Sequence, residues 1–360
     1  MIHKIFGLLK LTRKGSNFIG MMSKLRKVTI LNGGRKIVVY KYRLFGIPIY
    51  TKTINFGKVF CLDGGGALQY SLSESFIDDD FLNEKISCLV DNLDDKSKET
   101  VYKIIDRLSA TYYHKYHLCE SLTNIERSVL EDSNLNFQNR IYKVGDFWYY
   151  DGFYLPISAF EISVFFHKHS MHILSNHEKL KNKDIIDVGA YVGDSALILS
   201  QYTNKKVYSF EIDKNNFTLL KQTIKLNDKY DKIIPLNIAL GKDNKNIHIL
   251  ENGIGAKIVD NNSGMRIKQL TLDSFVKENN IKVGFIKVDI EGAEMDFLLG
   301  AKNTICSQKP SMLISIYHNP RDFFKIKPML ESWNLGYTFK IYKPIDYTIS
   351  VETALYCEFI

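Results

Sequence analysis

Beyond residue 183 the sequence alternates between two periodicities, and this alternation constrains the fold more than any other feature. Short β-branched, apolar runs (DIIDVG, KVYSFEI, KIIPLNIAL, VGFIKVDI, SMLISIY) are separated by amphipathic stretches (DSALILSQY, KNNFTLLKQTIKLN, TLDSFVKEN, AEMDFLLGAKNTI, PRDFFKIKPMLESW). Strands that are separated by helices return to the same sheet by crossovers, which gives a parallel, doubly wound sheet with helices on both faces. The closing runs, YTFKIY and ALYCEFI, have no helix between them and predict an antiparallel hairpin at the sheet's edge. The expected class is therefore α/β with a Rossmann-like, mostly parallel sheet. Such sheets bind ligands at the carboxyl ends of their strands, so those ends are where chemistry is sought.

The first strand runs into Asp187-Val188-Gly189-Ala190-Tyr191-Val192-Gly193-Asp194. The glycines let the backbone turn sharply and approach a ligand closely. A dinucleotide fingerprint needs G-x-G-x-x-G, and Tyr191 occupies the middle glycine's place. Asp187 and Asp194 put negative charge where a pyrophosphate would sit, which suits a ligand with cationic groups. The second strand ends in Glu211-Ile212, and Glu211 lies 22 residues beyond Gly189. That spacing suits an acid that accepts hydrogen bonds from ribose hydroxyls, although a helix N-terminal acid reads the same way. Three carboxylates, Asp289, Glu291 and Glu294, follow the strand VGFIKV, and the next parallel strand runs into Tyr317-His318-Asn319. A histidine among carboxylates is a candidate general base; a capping or hydrogen-bonding role for these groups stays open.

IIDVGAYVGDSAL, SFEIDKNNFTLLKQTIKLN, NIALG and above all IKVDIEGAEMDFLLGAKN resemble the FkbM family of S-adenosylmethionine-dependent O-methyltransferases over roughly residues 140–345. The resemblance implies a class I methyltransferase fold. It also implies S-adenosyl-L-methionine held by Asp187, Gly189, Ala190, Tyr191, Gly193, Asp194, Glu211, Ile212 and Asp289. Ile212 departs from the family, which commonly has proline there. The acceptor implied is a carbohydrate hydroxyl, in a bacterial surface glycan or its precursor. His318 is the first choice of base, with Asp289 or Glu291 the second. A divalent metal such as magnesium between Asp289, Glu291 and the acceptor is left open. The sequence expected after the fourth strand of nucleic-acid amine methyltransferases, [D/N]-P-P-[Y/F], is replaced by DIEG, so no nucleic-acid partner is expected.

Upstream of this block the charge is lopsided. Residues 1–62 hold 13 Lys or Arg and no acid, so a chain of net charge +8 leaves −5 for the remaining 298 residues. Residues 2–14 fit a short interfacial helix with Ile2, Ile5, Phe6 and Leu9 on one stripe, able to lie on an anionic membrane; a solvated lead-in fits equally. KIVVYKYRLFGIPIYTK reads as strand, turn and strand, and residues 63–74 as a glycine-rich linker. Asp78, Asp79 and Asp80 suit the start of a helix better than a metal site. DDKSKETVYKIIDRL is amphipathic, with Val101, Ile104, Ile105 and Leu108 on one face. Asp151-Gly152 predicts a hairpin, and SAFEISVFFHKHSMHIL a helix whose histidines pack or face solvent. The expected divisions are 1–62, a basic segment; 63–140, a helical subdomain; and 141–360, the Rossmann-like domain. No apolar run reaches membrane-span length. Five scattered cysteines without C-x-x-C point to a reducing, cytoplasmic setting, with peripheral membrane contact through 1–62. A non-catalytic, methyltransferase-like scaffold at the membrane surface is the rival expectation.

Overall fold

A computed structural model describes residues 22–31, 35–44, 47–58, 72–76, 79–114, 122–251, 256–259 and 264–359. The interfacial-helix reading of 2–14, most of the glycine-rich linker and Asp78 lie outside them. The chain divides into two compact units, Met1–Cys61 and Leu62–Ile360. In the first, β1 (Met22–Leu31), β2 (Arg35–Leu44) and β3 (Ile47–Lys58) form an antiparallel sheet in that order. The β2–β3 pair carries the strand, turn and strand read from KIVVYKYRLFGIPIYTK, with a register shift next to the Arg43↔Pro48 pair. Such an irregularity suits proline, which cannot donate to the ladder.

The first described residues of the second unit are helical, at 72–76, and there the end of the expected linker is anchored by buried Leu72, with Phe76 one turn on. These two sit four residues apart on one helix face, and Phe76 packs against Phe323 and Phe324 with ring centroids 5.4 and 5.0 Å away. Three helices follow: α1 (Leu82–Val90), α2 (Asp95–His114) and α3 (Asn124–Asn136). Asp79 prepares the start of α1 by accepting from Phe81 N and pairing with Lys85. The apolar face of α2 is buried at Val101, Ile104, Ile105 and Leu108, and Glu99 meets Lys103 at 3.6 Å. α3 opens with a capping box between Thr123 and Glu126.

Strands β4 (Tyr142–Val144), β5 (Phe147–Tyr150) and β6 (Phe153–Leu155) form a small antiparallel sheet. The β5–β6 turn places Asp151 and Gly152 at φ 46° and 88°, the two left-handed positions that a type I′ turn requires. The segment expected to follow as one helix forms two short irregular helical pieces instead, Ile162–Phe166 and Lys168–Ile173. His167 N donates to Ile162 O, an i→i+5 turn, and Lys168, His169 and Ser170 are all left-handed, at φ 50°, 51° and 47°. Phe160, Val164, Phe165, Met171 and Leu174 are all buried against the main core. Four of them, Phe160, Val164, Met171 and Leu174, keep a helical spacing, so it is the three left-handed residues that break the helix.

The main sheet has seven strands, in the order β16-β17-β15-β14-β7-β8-β9. Its strands β7 (Asp184–Val188), β8 (Val207–Phe210) and β9 (Ile233–Leu236) come first. A second, four-stranded sheet then intervenes: β10 (Ala239–Leu240), β11 (Lys245–Glu251), β12 (Ala256–Val259) and β13 (Met265–Leu270). The main sheet resumes with β14 (Val283–Val288), β15 (Ser311–Ser315), β16 (Thr338–Tyr342) and β17 (Ala354–Glu358). Strands β9 through β15 are parallel neighbours, and β17 is antiparallel to both β15 and β16. The expected closing pair therefore exists, but β17 inserts between β15 and the edge strand β16. All six residues of β14 are buried, as a strand covered on both faces must be. The helices are α4 (Asp194–Leu199), α5 (Lys214–Leu226), α6 (Leu272–Glu278), α7 (Glu294–Gly300), α8 (Lys302–Gln308) and α9 (Pro320–Glu331). The chain leaves β7 toward β8 and leaves β14 toward β15, so the strand order reverses between these two neighbours. That crevice is where open α/β sheets bind ligands.

Candidate active site

The loop after β7 is shaped by steric necessity. Gly189 sits at φ +80°, and a Cβ there would lie 1.8 Å from the carbonyl oxygen of Asp289. The end of β7 thus touches the end of β14 backbone to backbone, a contact that no other residue type permits. Tyr191 is also left-handed, at φ 45°, and Gly193, at φ +90°, starts α4. The amides of Gly189 and Ala190 both donate to Phe210 O, at 3.0 and 2.9 Å.

Glu211 clasps this loop. One carboxylate oxygen accepts from Tyr191 N and the other from Asp213 N, both at 2.8 Å. Burial pushes its pKa up to about 7. Ile212 packs against the core of the four-stranded sheet, so the site where the family commonly has proline is used for apolar contact. Asp187 lies under the loop, fully buried, opposite Lys287 in the β7–β14 register. Lys287 Nζ donates to Gly189 O at 2.6 Å and stands 3.5 Å from Asp187. Burial opposes the lysine's charge, and Asp187, Asp289 and Asp194 outweigh it, so its pKa is raised. Asp187 therefore reaches the loop through Lys287. Asp194 is buried in the first turn of α4, and burial lifts it to about 7.

His318 sits between carboxylates. Its Nε2 lies 3.2 Å from Asp289 and 3.8 Å from Glu291, and its Nδ1 lies 3.0 Å from Glu294. These are contacts of opposite charge rather than well-aligned hydrogen bonds. Burial works against the imidazolium, but Asp289 and Glu294 more than offset it and raise the His318 pKa to about 11. Asp289 moves the other way: burial opposes its charge, yet His318 and Lys287 hold it down at about 2. Glu294 also accepts from Ile290 N, at 2.9 Å. The Tyr317 hydroxyl stands 3.3 Å from both Asp289 oxygens and 3.5 Å from Glu352.

Asp289, Glu294 and His318 bring ligand-type atoms within 4.8 Å of one another. They do not fit one metal ion, because Asp289 and Glu294 face opposite edges of the ring.

Two residues of this site have weak sequence signals. Lys287 is a lone cation between Ile286 and Val288 in a buried strand, a signal only once Asp187 is known to lie opposite. Glu352 lies outside every motif and has a left-handed backbone at φ 68°.

The family model described as the methyltransferase FkbM domain matches residues 187–339. The chain is 28% identical over 158 residues to the hexuronic acid methyltransferase AglP of Haloferax volcanii, a match that covers 41% of this chain and 63% of that protein. It resembles the crystal structure of a methyltransferase FkbM from Methylobacillus flagellatus with a TM-score of 0.51 and 19% identity, over 77% of this chain and 60% of that one. The chain thus spans about three fifths of the length of these two relatives. The fold around the β7–β14 crevice is class I methyltransferase-like, and residues 187–339 match the model of the methyltransferase FkbM domain.

Proposed function

We propose that this chain is an S-adenosylmethionine-dependent O-methyltransferase acting on a sugar hydroxyl, in a surface glycan or its precursor. The observation that carries this reading is the Glu211 clasp. An acid at the end of the second parallel strand holds the tight loop of the first, in a position suited to ribose hydroxyls. The name of the relative AglP supports a sugar acceptor. Gly189, Ala190, Tyr191 and Gly193 would form the cofactor's cradle, with Asp187 bracing it through Lys287. Asp194, Ile212 and Asp289 would complete its walls.

The cofactor supplies an electrophilic methyl group, and the protein's task is alignment. Holding acceptor oxygen, methyl carbon and sulfur in line provides much of the rate. In this reading Asp289, ionised at neutral pH, orients the acceptor hydroxyl or the cofactor's amine. His318 already carries its proton at neutral pH, so its role is to fix Asp289 rather than to take the acceptor's proton. Glu291, exposed at the mouth, is placed to contact the acceptor. Among the described residues no helix is long and apolar enough to cross a membrane. The 13 cations of residues 1–62 support peripheral contact with an anionic surface, which vesicle co-sedimentation tests.

The decisive experiment is calorimetric titration of S-adenosylmethionine and its demethylated product into wild type and Glu211→Ala. Micromolar binding that is lost in the variant is expected. Labelled-methyl transfer to a panel of hexoses, hexosamines and hexuronates then seeks the acceptor. Absence of cofactor binding by the wild type would overturn the enzyme reading and favour the scaffold.

A further inference from the structure

The small sheet of β4, β5 and β6 buries one face and leaves the other open. Side chains alternate across a strand. On the inner face Tyr150 and Leu155 are buried in the main core, with Trp148 and Phe153 packed against it. The outer face is aromatic as well. Tyr149 lies opposite Tyr142 on β4 and opposite Tyr154 on β6, so a row of three tyrosines crosses the sheet, and Val144 and Phe147 form the next row. Tyr142, Val144 and Phe147 are 53%, 50% and 39% exposed, and Tyr149 and Tyr154 are partly exposed. The rings of Tyr149 and Tyr154 have their centroids 5.0 Å apart. The outer face of a half-buried sheet is ordinarily polar, and a contiguous apolar one marks a place where something binds.

The face is also held rigid. Two-residue turns, Gly145-Asp146 and Asp151-Gly152, close both hairpins. Asn227, at the carboxyl end of α5, accepts from Tyr154 N at 2.9 Å and donates to Tyr154 O at 2.7 Å. Rings fixed in advance lose little freedom when a ligand settles on them.

We propose that this face is a carbohydrate-binding platform that holds a segment of a glycan chain by stacking. A pyranose ring offers an apolar C–H face that fits an aromatic ring, and a rim of hydroxyls that tyrosine hydroxyls can meet. Size and charge choose this occupant. Strand lengths and spacing make the platform about 12 by 10 Å, room for about one or two sugar rings. That is several times less than the ~800 Å² which each side of a stable protein interface buries. The charged residues of 138–155 are Arg140, Lys143, Asp146 and Asp151, all exposed, and they cancel. A nucleic-acid strand or an anionic membrane would call for an excess of cations.

The choice of a sugar rests on the reading of this chain as a sugar methyltransferase, and the platform adds to that reading. It lies before the matched segment 187–339. It also lies apart from the crevice, because the 13 residues of α5, about 20 Å of helix, separate Asn227 from the Glu211 clasp. A single sugar unit cannot touch both. The acceptor class is therefore an oligosaccharide or polysaccharide, gripped at a distance from the point of methylation so that its effective concentration at the crevice rises.

The test is calorimetry of the full chain with cellohexaose, chitohexaose, hexagalacturonate and glucose, for wild type, Tyr142→Ala and Phe147→Ala. Both substitutions fall at exposed positions, and thermal unfolding and S-adenosylmethionine binding are controls that should not change. Wild type is expected to bind a hexasaccharide more tightly than glucose, with an affinity that does not fall from low to high salt. Each variant should weaken it about fivefold. Absence of hexasaccharide binding by wild type, or equal binding by the variants, would overturn the platform. Binding of single-stranded RNA or of anionic vesicles, or self-association, that the variants abolish would overturn it in favour of that occupant. Hexasaccharide binding that the variants weaken, in a chain that binds no S-adenosylmethionine, would keep the platform and overturn the methyltransferase reading alone.

Discussion

Replacing His318 by Gln should change how stability depends on pH, by an amount the geometry fixes. In the folded chain Asp289 and Glu294 hold the imidazole's pKa at about 11, against 6.5 when it is free of them. Its contribution to stability is therefore complete below 6.5 and is lost as pH climbs toward 11. Between those limits the folded state binds one proton more than the unfolded state, so stability falls by about 1.4 kcal/mol per pH unit from this group. From pH 7 to pH 9 the loss is about 3 kcal/mol. The His318 side chain is 3% exposed, so solvent screening removes little of it. The shift of Asp289 reflects the same contact and adds nothing further. Urea unfolding at pH 6, 7, 8 and 9 measures the effect. Both tryptophans, Trp148 and Trp333, lie in the unit 62–360, so their fluorescence reports that unit alone. The wild-type advantage over His318→Gln should shrink by about 3 kcal/mol between pH 7 and 9, as ionisations common to both proteins cancel. Parallel curves would refute the imidazolium and reopen a role for His318 as base.

Gly189→Ala should cost about 3 kcal/mol or more, because its methyl would occupy the place of the Asp289 carbonyl; a melting temperature within a degree or two of wild type would contradict the close approach. Glu126 accepts from both terminal nitrogens of Arg107, at 2.9 and 2.7 Å, and its pKa is lowered to about 2. Glu126→Gln should cost about 3 kcal/mol at pH 7, and the wild type should lose that advantage as pH falls from 4.5 toward 2, read from acid unfolding midpoints. Leu108→Ala, at a fully buried position on α2, should cost 2–5 kcal/mol in urea unfolding. Tyr191 N loses its acceptor in Glu211→Ala, so amide exchange at Tyr191 should quicken along with the loss of cofactor affinity.

The parts of the fold readable from sequence are those written in local periodicity. The β7, β8, β14 and β15 strands, the α2 face and the Asp151-Gly152 turn all follow from spacing. Gly189 and Glu211 were visible because the chemistry they suit demands fixed positions at strand ends. The segment 158–174 reads as one helix because four of its apolar residues share a helical face; the left-handed backbone at 168–170 that breaks it has no signal in that spacing. Lys287 and Glu352 lie far apart in sequence and acquire meaning only when the fold brings both to the small cavity beside Asp289. β1 lacked the punctuation that identified β2 and β3. The charge of His318 depends on Glu294, four residues past a strand, whose direction no spacing rule predicts.

The placement of β17 has a consequence for the chain during synthesis. β15 and β16 are made before the strand that fills the gap between them, so each presents an unpaired edge while translation continues. Glu352 precedes β17 by two residues and is translated at the same late stage. A ribosome-bound chain with everything through β16 exposed would carry its glycine loop and its Glu211 clasp but not its last carboxylate. Sheet closure and completion of the crevice would then be a single late event.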